Sequence, residues 1–321
     1  MNEARKKLAD KFLKVLESGH IPWHQSWAIR GTQQYDALTR INYTGLTQMI
    51  LSMENRTNAG WVLRSKALEK GWSIKPTARP VTVEEFRMCL LTDKTKTLSM
   101  HDFLLEATKR PNVSCKYEKV PVVYYLYNVE DIQGIPEKYK KQKGKQTVKY
   151  DRKSIDSIPT QLGVHLIEGK ASDGMPTAYY MPSEDTVHIP NRSLFESEYS
   201  YTAVKVHELC HSTSAKNRLD RTYLYQTKKD AMFGGEGYAK EELRAEIASA
   251  FLMQDFGLKP TEKELTNHMG YVQSWISILR KDREELSKAI DDAYRIEEYI
   301  LHAVGKDSMI KTRAHCLSFH V

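Results

Sequence analysis

"AVKVHELCHSTSAKNRL", Ala203 to Leu219, carries two histidines four residues apart, with a glutamate directly after the first. The preceding "SEYSYTAVKV" reads as the opening of a helix capped by Ser200 or Thr202, with "TAVKV" giving a buried context. On a helix, positions i and i+4 project from one face, so His207 and His211 can aim imidazole nitrogens at a single ion. Glu208 lies about 100° further around the axis, where it can reach a water at that ion without replacing it. Leu209 and Cys210 fall on other faces and need only fit the packing. The plain alternative is a helix with two satisfied histidines. A third protein ligand separates the two readings, because catalytic zinc keeps three side chains and one open position.

No histidine follows at a short interval to serve as that ligand. After a glycine-rich turn, "MFGGEGYA", the run "KEELRAEIASAFLMQDFG" places Leu243, Ile247, Ala250, Phe251 and Gln254 at helical spacing and ends at Gly257. Glu242 and Glu246 stand four apart beside this stripe, where lone carboxylates are unfavourable unless paired or bound to a cation. "ELRAE" has the form Glu-x-x-Ala-acid and resembles the downstream helix of gluzincin peptidases. That resemblance implies Glu242 as the third ligand and Glu246 as the acceptor of a hydrogen bond from the other nitrogen of a ligating histidine. The opposite assignment, Glu246 ligating and Glu242 facing solvent beside a base, stays open at this point. His268 and Tyr271, in "LTNHMGYVQSW" on the next helix, are candidate donors to a developing oxyanion, with packing as the alternative role for Tyr271.

Charge divides the chain. Residues 1–150 hold 26 Lys and Arg against 15 Asp and Glu, a net of +11, while residues 151–321 hold 22 against 26, a net of −4. A basic half joined to a mildly acidic one suggests a polyanion-binding module attached to something else. Part of the excess lies in "KYKKQKGKQTVKYDRK", which reads as a solvated linker, but the first half stays positive without it.

"EARKKLADKFLKVLESG" opens that half as an amphipathic helix with Leu8, Phe12, Val15 and Leu16 on one side and Gly19 as the stop. "NYTGLTQMILSM" reads as another helix and "VPVVYYLYNVEDI" as a strand rich in β-branched and aromatic residues. Trp23, Trp27, Tyr43, Trp61 and Trp72 are interleaved with Arg30, Lys66, Lys75 and Arg79. Cations that track phosphates and rings that stack on bases are what a single-strand binder needs. Burial of most rings in a core is the competing reading.

Four cysteines stand far apart with no CxxC pair, as expected of reduced thiols in a cytoplasmic protein. The N-terminus lacks the pattern of a signal peptide and no stretch approaches a membrane span, so no membrane partner is expected.

Taken together, "IPWHQSW", "INYTGLTQMIL" and "VVYYLYNVEDIQGIPE", then "VHELCHSTSAKNRLDR", "YAKEELRAEIASAFL" and "NHMGYVQSWISILRKD", resemble in order the motifs of the ArdC family of antirestriction proteins. Two departures stand out: Ser212 to Ala215 replace a Trp-Thr-Gly-His run, and no second Pro-Trp pair follows Trp23. The resemblance implies an α+β protein. A single-stranded-DNA-binding domain (1–136) and a basic linker (137–155) would precede a gluzincin-like metallopeptidase domain (156–305), with a tail at 306–321. It also implies one zinc ion, other divalent metals being possible, held by His207, His211 and Glu242, with Glu208 as the base for water attack on a carbonyl. Single-stranded DNA and restriction enzymes or other DNA-bound proteins are the implied partners. The alternatives are a DNA-shielding protein with a structural metal and an accessory factor for plasmid replication or priming.

Overall fold

A computed structural model describes residues 3–21, 34–43, 45–54, 56–99, 116–141, 149–169, 177–224, 227, 235–258 and 272–306. The chain divides into two compact units, one of Thr32–Gly144 and one of Met1–Gly31 with Lys145–Asp307. It is an α+β protein in which each unit has its own sheet.

Helix α1 (Glu3–Glu17) belongs to the second unit by its packing, although the charge pattern groups it with the basic half. Leu8, Ala9, Phe12, Leu13 and Leu16 are buried, with Leu13 in the place that the helical stripe gives to Val15. Arg280 pairs with Glu17 at 2.7 Å and Arg283 with Asp10 at 2.7 Å along the rim of this packed face.

The Thr32–Gly144 unit is built on β1 (Tyr35–Asp36), α2 (Gly45–Ser52), β2 (Gly60–Leu63), α3 (Arg64–Glu69), β3 (Ser73–Ile74), β4 (Val81–Leu90), β5 (Asp93–Ser99), β6 (Tyr117–Asn128), β7 (Ile132–Gln133) and α4 (Glu137–Lys140). Its main sheet has the order β1-β2-β6-β4-β5, with β1 parallel to β2 and the other pairs antiparallel. Side chains alternate across the strands. One face buries Trp61, Leu63, Val81, Val83 and Leu126 with Tyr43 and Leu51, and the other buries Tyr35, Val62, Trp72 and Tyr127 with Ile132 and Ile135. Trp61 has no exposed surface and donates its indole N–H to Gln34 at 2.7 Å.

The stretch read as a solvated linker is packed at both described ends. Tyr139 lies against Trp72, the Lys141 carbonyl accepts from Tyr35 and Arg40, and Asp151 caps the next helix through Ser154. The tail at 307–321 lies outside the described residues.

The second unit continues with α5 (Arg152–Leu162), β8 (His165–Glu168), β9 (Tyr179–Met181), β10 (Thr186–Ile189), α6 (Glu198–Ser212), α7 (Glu236–Asp255), α8 (Val272–Lys281) and α9 (Glu284–Ala303). Its three strands run β8-β10-β9, with β10 parallel to β8 and antiparallel to the edge strand β9. Helix α7 is buried nearly all round and carries charge inside. Its Arg244 is held by Asp292 of α9 at 2.7 Å, and Tyr223 donates to the same carboxylate at 2.6 Å.

Candidate metal centre

The cap of helix α6 is Ser197, ahead of both Ser200 and Thr202, the caps read from the sequence. Ser197 Oγ accepts the Ser200 N–H at 3.0 Å while Ser200 Oγ accepts the Ser197 N–H at 3.1 Å, so the two serines form a reciprocal capping box. Ser200 lies inside the helix because its hydroxyl serves the start rather than making it. Val206, Leu209 and Cys210 are fully buried, and this anchors the helix so that His207 and His211 share the remaining face.

Their Nε2 atoms lie 3.1 Å apart. Glu242 of α7 closes the group, with one carboxylate oxygen 3.4 Å from His207 Nε2 and the other 3.3 Å from His211 Nε2. One ligand atom from each of the three residues lies within 4.8 Å of the other two. Two ligand atoms at about 2.1 Å from a tetrahedral zinc stand about 3.4 Å apart, so these separations match the edges of one coordination shell.

Glu246, one turn further along α7, is 3.4 Å from His207 Nδ1 on the far side of the ring. Glu242 is almost completely buried rather than solvent-facing, and its carboxylate is the one that lies together with the two histidine rings as a possible ligand group.

Two residues that the sequence reading did not single out complete the surroundings. Glu241, beside Glu242, is 3.4 Å from His211 Nδ1. Buried Arg221 grips Glu241 through two hydrogen bonds, at 3.0 and 2.5 Å. The doubled acid in "KEELRAE" was the available signal for Glu241, whereas Arg221 sits in a loop with no periodicity to mark it.

Electrostatics fit a divalent cation. Glu208, Glu241, Glu242 and Glu246 are all buried around two histidines and one arginine. Burial by itself would push the His207 pKa down, but hydrogen bonds to Glu242 and Glu246 and the charge of Glu208 hold it well above the ordinary histidine value. His211 is likewise opposed by burial, yet Glu242 and Glu241 raise it to about 9. Burial raises the Glu208 carboxyl, whose neighbours include the Tyr180 backbone N–H on edge strand β9.

His268 and Tyr271 lie outside the described residues, as do Trp23, Trp27 and Arg30. Tyr43 and Trp72 are corrected to core positions, at 2% and 9% exposure, because both rings fill the sheet's packed faces and have no surface left to stack on bases. Lys66 is paired with Glu69 at 2.8 Å, while Lys75 and Arg79 are exposed with no carboxylate partner among the described residues. Tyr125 of β6 is 48% exposed, the open ring that the alternation of "VVYYLYN" could have marked.

Residues 2–149 match the family described as the N-terminal domain of anti-restriction factor ArdC, and residues 157–292 match a zincin-like metallopeptidase family. Two Escherichia coli proteins named DNA primase TraC are each 28% identical over 92% of this chain, which spans 27% of one and 19% of the other. The chain is similar in fold to the antirestriction ArdC protein of plasmid R388 at 23% identity. The TM-score is 0.65 for its metal-free structure, over 94% of this chain and 98% of that one, and 0.67 for its Mn(II)-bound structure, over 95% and 99%. Among the described residues, no helix is long and apolar enough to cross a membrane.

Proposed function

Because the chain belongs to the ArdC antirestriction family, with that factor's N-terminal domain followed by a zincin-like domain, we propose that it binds single-stranded DNA and hydrolyses peptide bonds at a metal centre. The observation that carries this reading is the convergence of His207, His211 and Glu242 on one point with Glu208 at its side. A divalent ion held there, zinc or another, would supply Lewis acidity that polarises a carbonyl and makes water more acidic. Manganese was found in the R388 protein.

The chain's own groups supply the rest of the reaction. Glu208 cannot share the ligand face of α6, so its carboxylate is left to take a proton from attacking water and pass it to the leaving amine. Its raised pKa suits the first transfer, because a carboxyl that holds a proton more readily is the better acceptor. Among the described residues, edge strand β9 has one side without a paired strand, where an extended peptide can pair beside Glu208. The carboxylates around the histidines hold the two rings with their Nε2 atoms turned toward the point that Glu242 shares with them.

DNA falls to the Thr32–Gly144 unit. Lys75 and Arg79 are free to meet phosphates, and Lys70 and Lys138 rest over Trp72 and Tyr139 at 6.0 and 4.8 Å. Exposed Tyr125 offers a face to a base. Tethering a peptidase to a strand raises its concentration near any protein acting on that strand, restriction enzymes included.

Glu208→Gln separates hydrolysis from shielding, since it removes the base and keeps the ligands. Plasmid entry into a restricting host should drop strongly in that variant while metal content stays unchanged. Full protection by Glu208→Gln would instead favour a non-catalytic DNA shield with a structural metal. The primase-named relatives favour a second reading, an accessory segment for priming. On that reading, protection would be absent altogether and primer synthesis on single strands would respond to the protein.

A further inference from the structure

We propose that Arg221 is a positioning residue for the metal centre, acting through Glu241 on His211. The inference rests on the reading that His207, His211 and Glu242 hold a divalent ion. Arg221 and Glu241 are each 2% exposed, and the guanidinium meets both carboxylate oxygens, Nε at 3.0 Å and Nη2 at 2.5 Å. The same guanidinium donates to Thr213 Oγ1 at 2.8 Å and to the Cys210 carbonyl at 3.1 Å. One side chain therefore joins the C-terminal end of α6, which carries the histidines, to the turn of α7 that carries Glu242.

The loop after α6 is built to return Arg221 to this point. Leu219 N–H donates to the Thr213 carbonyl and Arg221 N–H to the Ser214 carbonyl, and Asp220 adopts a left-handed φ of 42° between them. A planar fork meets a carboxylate in one orientation only, so Glu241 is held in register against His211 Nδ1, 3.4 Å away. With Nδ1–H directed to Glu241, the lone pair of His211 lies on Nε2, where the ligand group converges. Arg221 also neutralises a carboxylate adjacent in sequence to Glu242, which leaves Glu242 as the anion available to the ion.

Metal affinity of the full chain, by competition against a chromogenic chelator with Zn2+ and Mn2+, tests this. Arg221→Lys keeps the charge and loses the fork, and Glu241→Gln keeps the shape and loses the charge. Each should bind about 10- to 100-fold more weakly, and the double variant no more weakly than the worse single one, because both act along one path. Arg244→Lys, which alters a buried arginine of the same helix that pairs with Asp292, is the control for general loosening. It should lower the melting temperature of the metal-free protein without a comparable loss of affinity.

Equal affinity in wild type and in folded Arg221→Lys would overturn the proposal. So would an equal loss in Arg244→Lys, or losses that add in the double variant. If Arg221→Lys does not fold, Glu241→Gln decides alone, and unchanged affinity there overturns the proposal. A wild-type chain that binds neither ion refutes the metal reading itself, a result distinct from all of these.

Discussion

His207 and His211 hold their Nε2 atoms 3.1 Å apart, and a single carboxylate, Glu242, spans both rings. Two imidazoles brought this close repel if each carries a proton. Carboxylates on three sides offset that repulsion in the metal-free protein, and one divalent ion offsets it better.

The two carboxylates of α7 should behave differently when altered. Glu242→Gln should abolish tight metal binding, whereas Glu246→Gln, which alters the contact to His207 Nδ1, should weaken it about 10- to 100-fold and keep the ion. Isothermal titration with Zn2+ measures both, and the reverse order would return the ligand role to Glu246.

Metal binding should expel protons. Both histidines are held above their ordinary pKa in the metal-free site, His211 at about 9, so ligation should displace proton from the pair. Glu242 stays ionised throughout, for although burial opposes it, His211 and His207 hold its pKa far below the carboxylate range. Apparent affinity should therefore rise with pH and flatten above about 9. Titrations at pH 7 in two buffers of different ionisation enthalpy count the protons, and a count of zero would contradict the site's electrostatics.

Single-strand binding should depend on salt through the exposed basic residues. Replacing Lys75 and Arg79 with alanine in the full chain should reduce the slope of log affinity against log salt by about 0.7 for each phosphate no longer neutralised. An unchanged slope would move the DNA-binding surface away from this part of the unit.

Trp61 should matter to stability instead. Trp61→Ala removes a fully buried ring and leaves Gln34 without its indole partner, at an expected loss of roughly 3–5 kcal/mol in urea unfolding. A loss below about 1 kcal/mol would contradict its place in the core.

The sequence made the second unit far more legible than the first. His207, Glu208 and His211 stood out because helical periodicity turns spacing into direction, whereas Glu242 was singled out over Glu246 only through the resemblance of "ELRAE" to the gluzincin helix. Arg221 did not stand out, since its role depends on a loop that folds back through a left-handed residue, and no period announces that. In the first unit the aromatic residues misled for a physical reason: Trp72 and Tyr43 have the chemistry of stacking platforms, but a small sheet covered on both faces needs large rings to fill its core. Helix α1 was placed by its charge, yet its apolar stripe decided where it packs.

Native mass spectrometry after dialysis against limiting Zn2+ tests the centre most directly. One ion is expected on the wild-type chain and on Glu208→Gln, and none on His211→Ala or Glu242→Ala. An ion retained in stoichiometric amount by His211→Ala, or no ion on the wild-type chain, would contradict this expectation.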